Sequence, residues 1–181
     1  MAFHPSGLHL VIALQDKIYL CNVLSNTIQQ FKTIGTKGCN EIQFSNGGHL
    51  FASILMSGTN CHIQVYNFYT GECSERMTWT GHTGRVMGIC WREDDMGFTT
   101  CGLDGNIYFY DLYGPGEIGI RTDGTMIRNS QSEPVRFSSV VNIPSRPYQF
   151  IAVGSEKKIY TNNDSLMMIP RPTADDPNPS P

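Results

Sequence analysis

Four isoleucines set the frame of this chain. Ile18, Ile63, Ile107 and Ile159 each open a short run rich in Ile, Tyr and Phe, and they stand 45, 44 and 52 residues apart. Ahead of each lies the same layout: an apolar strand, a polar turn, a second apolar strand, then an acidic or amide turn. A unit of this size cannot bury its apolar face alone, so copies must stack on one another, and the fold is an array of repeats.

The first unit runs Ala2-Phe3-His4-Pro5-Ser6-Gly7, Leu8 to Leu14, then Ile18 to Asn22. The second runs Ile42 to Gly48, His49 to Leu55, then Ile63 to Asn67; the third Ile89-Cys90-Trp91, Gly97 to Gly102, then Ile107 to Asp111. A weaker fourth offers Val140 to Pro144, Gln149 to Gly154, then Lys158-Ile159-Tyr160. The strands alternate or run apolar between Gly, Pro, Asn and Asp, and no window keeps a 3.6-residue apolar period, so the class is all-β. The long third step is assigned to Tyr113 to Glu133, read as an extended loop between units. Residues 1–160 form the repeat segment. Residues 161–181 end in Pro170-Arg171-Pro172 and Pro177-Asn178-Pro179-Ser180-Pro181, which is too proline-rich for a sheet and reads as a flexible tail.

Composition removes several functions. With 40% apolar and 16% charged residues the chain can bury a core, and a formal charge of −3 provides no basic footprint for nucleic acid. The apolar stretch Leu8 to Leu14 is too short to cross a bilayer and has no basic segment before it, so neither a membrane span nor a secretory signal is expected. The six cysteines, Cys21, Cys39, Cys61, Cys73, Cys90 and Cys101, form no C-x-x-C pair and read as small buried hydrophobes in a reducing compartment.

Gly81-His82, followed by Asp104-Gly105 and a strand ending Tyr110-Asp111, resembles the signature of a WD-repeat β-propeller blade. Two of the three steps also match the roughly 40–45 residues of such a repeat. The resemblance implies a hydrogen-bonded lock of a loop histidine, a Ser or Thr on the second strand, a turn aspartate and a tryptophan on the third. In this chain the positions fall on His82, Cys101, Asp104 and Tyr110. A thiol is a weak donor and a phenol presents its polar end elsewhere than an indole, so Cys101 and Tyr110 weaken the lock. The first two units, with Cys21-Asn22 and Tyr66-Asn67 at the Trp-Asp positions, are more degenerate.

The turns carry a narrower likeness. Ile42 to Ala52, Ile63 to Glu72 and Cys101 to Asp111, with Ala2 to Gly7 and Ala152 to Tyr160, resemble the cilia- and flagella-associated protein 57 group of WD-repeat proteins. That resemblance implies a scaffold of the ciliary or flagellar axoneme that helps attach or regulate inner dynein arms on doublet microtubules. Its partners would be dynein arm subunits, doublet microtubule-associated proteins and other WD-repeat or coiled-coil chains. Four units are few for a propeller, and Phe3 already sits at the end of a first inner strand with no Gly-His loop before it, so the ring is expected to be partial: a fragment, or a short paralogue completed by another chain, ahead of a small four-bladed closure.

The remaining motifs point away from chemistry. Gly114 to Gly119 spells G-x-G-x-x-G but leads into no helix whose N-terminus could cradle phosphate. Cys61-His62 near Cys73 lacks a second ligand pair for zinc. Glu93-Asp94-Asp95 occupies a hairpin turn and reads as solvated, and Asn163-Asp164-Ser165 is a glycosylation acceptor without a secretory route. Trp79 and Trp91 read as packing, and the aromatic runs Tyr66, Phe68, Tyr69 and Tyr108 to Tyr113 as mostly core with some docking surface. No nucleophile with an oriented base and no carboxylate pair emerges, so a propeller hydrolase is disfavoured. The expectation is a non-enzymatic docking element without catalytic residues, cofactor, metal, membrane, nucleic-acid or small-molecule partner; the alternative is a cytosolic WD-repeat adaptor in a ligase or trafficking complex.

Overall fold

A computed structural model describes residues 1–58, 60–113, 120–126, 133–146, 148–156, 158–161 and 169–170. It contains four antiparallel sheets of four strands each, every sheet built from consecutive strands in chain order. The first takes β1 (Ala2–Phe3), β2 (His9–Ala13), β3 (Lys17–Val23) and β4 (Ile28–Gly35); the second β5 (Cys39–Phe44), β6 (Leu50–Ser57), β7 (Asn60–Asn67) and β8 (Cys73–Thr80). The third takes β9 (Val86–Trp91), β10 (Gly97–Gly102), β11 (Asn106–Asp111) and β12 (Ile120–Met126), and the fourth β13 (Phe137–Asn142), β14 (Phe150–Gly154), β15 (Lys158–Thr161) and β16 (Ile169–Pro170). Each sheet is one blade, so the expected count of four and the all-β class are what the structure has.

Blades meet through their inner strands and bury a cluster at each seam. Between the first and second lie Val11, Ile18 and Leu20 against Phe44, Phe51, Tyr66 and Phe68. Between the second and third, Ile54, Ile63 and Val65 meet Trp91, Phe98 and Tyr110; between the third and fourth, Cys101, Ile107 and Phe109 meet Phe137, Phe150 and Tyr160. Each strand alternates its side chains between two faces, so one blade serves two seams at once. Among the described residues no cluster joins the fourth blade to the first, and the array stays open.

The first hairpin turn of each blade holds the seams in register. Gly48 has φ +76°, and a Cβ there would fall inside the imidazole of His4 from the blade before, so glycine is required on both conformational and spatial grounds. At the corresponding turn of the third blade Asp95, also left-handed at φ 56°, sends its carboxylate back into the second blade. It accepts hydrogen bonds from the backbone N–H of Asn46 (2.7 Å) and Gly47 (2.6 Å) and from Asn46 Nδ2 (2.9 Å). Glu93-Asp94-Asp95 is therefore not simply a solvated turn: Asp95 is buried and staples two blades.

Three further expectations change. The segment Tyr113 to Glu133 is not a plain loop, since it contributes β12, which pairs with β11 from Asn106↔Met126 to Asp111↔Ile120. The boundary at residue 160 is crossed, because β15 ends at Thr161 and Ile169–Pro170 pairs with it as the outer strand of the fourth blade. Cys21, Cys39, Cys61 and Cys101 are buried while Cys73 and Cys90 are half-buried, and all six are free thiols. Gly114–Gly119, Asn163–Ser165 and residues 171–181 of the tail lie outside the described residues.

Candidate docking surface and its internal lock

The third blade is pinned by His82. It sits in the loop between β8 and β9, with its side chain almost fully buried, and its Nδ1 lies 3.0 and 3.1 Å from the two carboxylate oxygens of Asp104 in the β10–β11 turn. Its Nε2 lies 2.8 Å from Thr100 Oγ1 on β10. Asp104 also accepts from Thr83 N–H (3.0 Å) and from the backbone and side-chain amides of Asn106 (3.2 and 3.0 Å). Burial by itself pushes the Asp104 carboxyl up, but the hydrogen bonds from His82 and Asn106 outweigh it and hold the pKa at about 2. With an ionised carboxylate at Nδ1, that nitrogen carries the proton and Nε2 accepts from the threonine hydroxyl.

Of the four positions assigned to the lock, His82 and Asp104 are brought together and Cys101 is not. The partner is Thr100, one residue earlier. A one-residue step on a strand reverses the face, and Cys101 accordingly points into the opposite seam with Ile107 and Phe109, where burial raises its thiol pKa to about 12. The signal was present in the sequence: Thr100 shares the parity of Phe98, and pairs across the strands with Tyr108 and Ile89. Tyr110 lies on the same face as His82 but stacks on Phe98, ring centroids 4.9 Å apart, inside the seam with the second blade. Tyr108 instead meets the imidazole edge-on at 4.7 Å and donates from its hydroxyl to the Gly81 carbonyl (3.2 Å). Every polar atom of the His82 ring is committed inward, which leaves no proton-transfer partner facing solvent.

The surface that faces outward lies at the opposite end of the blades. A cleft of about 690 Å³ opens where the first turns of the second, third and fourth blades converge, with Trp91, Arg92, Ile143, Pro144, Arg146 and Tyr148 on its walls. Trp91 is fixed by an indole N–H donated to the Gln43 carbonyl (3.2 Å). The Arg92 guanidinium pairs with Asp94 and Asp111 and lies 5.5 Å from the centroid of the Tyr148 ring, whose hydroxyl donates to Asp111 (2.9 Å). These bonds hold Arg92 above and Asp94 below their ordinary pKa values. The cleft wall is thus a tied network between two blades, rigid before anything binds.

Of the aromatic runs singled out in the sequence, Tyr66, Phe68, Phe109 and Tyr110 are buried in seams, while Tyr69 and Tyr113 stand 66% and 51% exposed. Tyr69 is held in place: Asn67 Oδ1 accepts from the N–H groups of Tyr69 and Thr70, and the Lys32 ammonium donates to the Thr70 carbonyl. Sequence reasoning missed Arg92, Arg146 and Tyr148, because only the side-by-side placement of two turns about fifty residues apart makes them one surface. Among the described residues no three His, Cys, Asp or Glu side chains gather closely enough to hold a metal ion.

Residues 73–111, from β8 through the lock to the end of β11, match the WD domain, G-beta repeat family model. The chain belongs to the WD-repeat family. Across 132 residues, 72% of its length, it is 42% identical to cilia- and flagella-associated protein 57 A of Tetrahymena thermophila. It is 33% identical over 175 residues, 97% of its length, to cilia- and flagella-associated protein 57 of Mus musculus. It spans only 10% and 13% of those relatives. Among solved structures the β-propeller domain of Myceliophteria thermophila Swd1 superposes with a TM-score of 0.59 at 15% identity, over 72% of this chain and 37% of that one. That likeness establishes the propeller fold and nothing of function. Among its described residues this WD-repeat chain carries one well-formed lock, in its third blade, and three seams that hold its turns in fixed register.

Proposed function

We propose that this WD-repeat segment is a non-enzymatic docking element of the ciliary or flagellar axoneme, supporting attachment or regulation of inner dynein arms on doublet microtubules. The observation that carries the ciliary part is the 42% identity to a cilia- and flagella-associated relative across the blades. The dynein-arm part rests on the family resemblance of the turns. The physical basis is rigid presentation: the seams fix the blades, and the cleft edge at Arg92, Arg146 and Tyr148 offers residue types that dominate binding hot spots. The partners are other axonemal proteins, and no bond chemistry is involved.

Fractionation of ciliated cells tests this reading. The native chain is expected to stay with detergent-extracted axonemes and to co-purify with doublet microtubules and dynein heavy chains. Recovery in the soluble cytoplasm alone would sink the axonemal assignment and favour the cytosolic adaptor.

A further inference from the structure

The first turn is tied to the second blade by a neutral histidine. His4 is 7% exposed and packs edge-on to Phe44 (ring centroids 5.2 Å apart) and against Phe68 (5.2 Å), filling the notch left by the missing side chain of Gly48. Its Nδ1 accepts from the backbone N–H of Ser6 (3.1 Å) and lies 2.8 Å from Ser6 Oγ, which in turn accepts from the N–H of Leu8 (3.2 Å). A backbone N–H can only donate, so Nδ1 carries a lone pair and the proton of the neutral ring sits on Nε2. The main chain closes around the same residue: Gly7 N–H donates to the His4 carbonyl (2.8 Å) and His4 N–H to the His9 carbonyl (3.0 Å).

A second proton on this ring finds no acceptor. At Nδ1 it would meet the Ser6 N–H, donor against donor, while Nε2 is buried against the Gly48 backbone without the geometry of a hydrogen bond. The elements packed around it bring no counter-charge. β5 and the end of β7 face it with Phe44 and Phe68; on β2, His9 stands 5.4 Å away ring to ring, its Nδ1 2.9 Å from Asn22 Oδ1; on β4, Lys32 donates to the Thr70 carbonyl. Behind the first turn of the second blade, the Asp95 carboxylate is taken up by Asn46 and Gly47 and lies 3.8 Å from His49 Nδ1. Neither His4 nor His9 pairs with a carboxylate among the described residues. Burial, and after it His9, hold the His4 pKa below its ordinary 6.5, outweighing the Gly48 contact, which favours the charged ring.

We infer that His4 is an acid-sensitive latch on the first seam. Protonation expels the ring from the Gly48 notch, frees the turn from His4 to Gly7 and opens the seam between the first and second blades at that end, while the other two seams stay closed. Because the seated ring resists a proton that the released ring accepts, the latch holds in full above the ordinary 6.5 and weakens as pH falls toward the folded pKa. The inference rests on this seam alone and is independent of the docking role.

Hydrogen exchange on the full chain at about pH 7.5 and about pH 5.5, with times scaled for the intrinsic rate, reads it directly. The amides of Ser6, Gly7 and Gly48 are expected to lose protection by up to about 10-fold at the lower value, the gain in proton binding of a free imidazole over that interval, while those of β10 and β14 keep theirs. His4→Asn retains an oxygen for the Ser6 N–H and cannot titrate, so its turn should be protected equally at both values. In the parent, an NMR titration of the His4 ring should give a midpoint below 6.5 with the proton on Nε2. Equal protection of the parent's turn at both values, a loss that persists in His4→Asn or spreads to all three seams, or a midpoint at or above 6.5 would overturn the inference.

Discussion

At the scale of single residues the chain depends on parity. The lock needs a hydroxyl on the face of β10 that sees His82, and Thr100 has it while Cys101, one position on, faces the next seam. Thr100→Val should cost about 1–2 kcal/mol by leaving a buried imidazole nitrogen without its donor. Cys101→Ser places a hydroxyl among apolar side chains instead, and Thr100→Ser should be nearly silent. Chemical denaturation of the three variants separates these outcomes. His82→Ala or Asp104→Ala should cost roughly 1–3 kcal/mol for the same reason.

The lock also has a pH signature. The folded pKa of Asp104, about 2, lies below its ordinary value of 3.8. Its stabilisation is therefore complete above pH 4 and lost as pH falls through the folded pKa. After allowance for solvent screening this amounts to about 1–2 kcal/mol. Melting temperatures between pH 5 and pH 2 should fall less steeply in Asp104→Asn than in the parent. Equal slopes would mean that the carboxylate is not held by His82 and Asn106.

At the scale of elements, the inner and middle strands were legible and the outer ones were not. β2, β10 and β11 bury at least one face, so their apolar residues recur in pattern. β4 is mostly exposed on both faces, and its Ile28-Gln29-Gln30-Phe31 carries no alternation that a core would impose. β12, with Arg121-Thr122-Asp123-Gly124, looks like a loop, and only pairing with β11 makes it a strand. The turn staples escaped for another reason: Asp95 and Asn46 are 49 residues apart, and a carboxylate in a turn has the same sequence appearance whether it faces water or the next blade. Asp95→Ala removes the acceptor of three N–H groups, and should lower stability by about 1–3 kcal/mol. Amide hydrogen exchange at Asn46 and Gly47 should accelerate with it, whereas unchanged exchange there would exclude the staple.

At the scale of the whole molecule, the chain is a one-dimensional array in which each blade touches its neighbours alone. Such arrays gain stability seam by seam. The middle seam, between the second and third blades, has a further blade on either side and should resist exchange longest, whereas the outer strands β4 and β16 should open first. The repeat, the all-β class and the ciliary kinship were all legible in the sequence, since the 44- to 45-residue step and the turn motifs are local features. The cleft proposed for docking was not, because Arg92, Arg146 and Tyr148 converge only when the third and fourth blades lie side by side.

Binding of the purified chain to salt-stripped axonemes, followed by co-sedimentation, tests the docking role most directly. Saturable binding is predicted for the parent and for Thr100→Ser. The double variant Arg146→Glu, Tyr148→Ala should lose most of that binding while melting within a few degrees of the parent. Failure of the parent to sediment with axonemes, or full binding by the double variant, would contradict it.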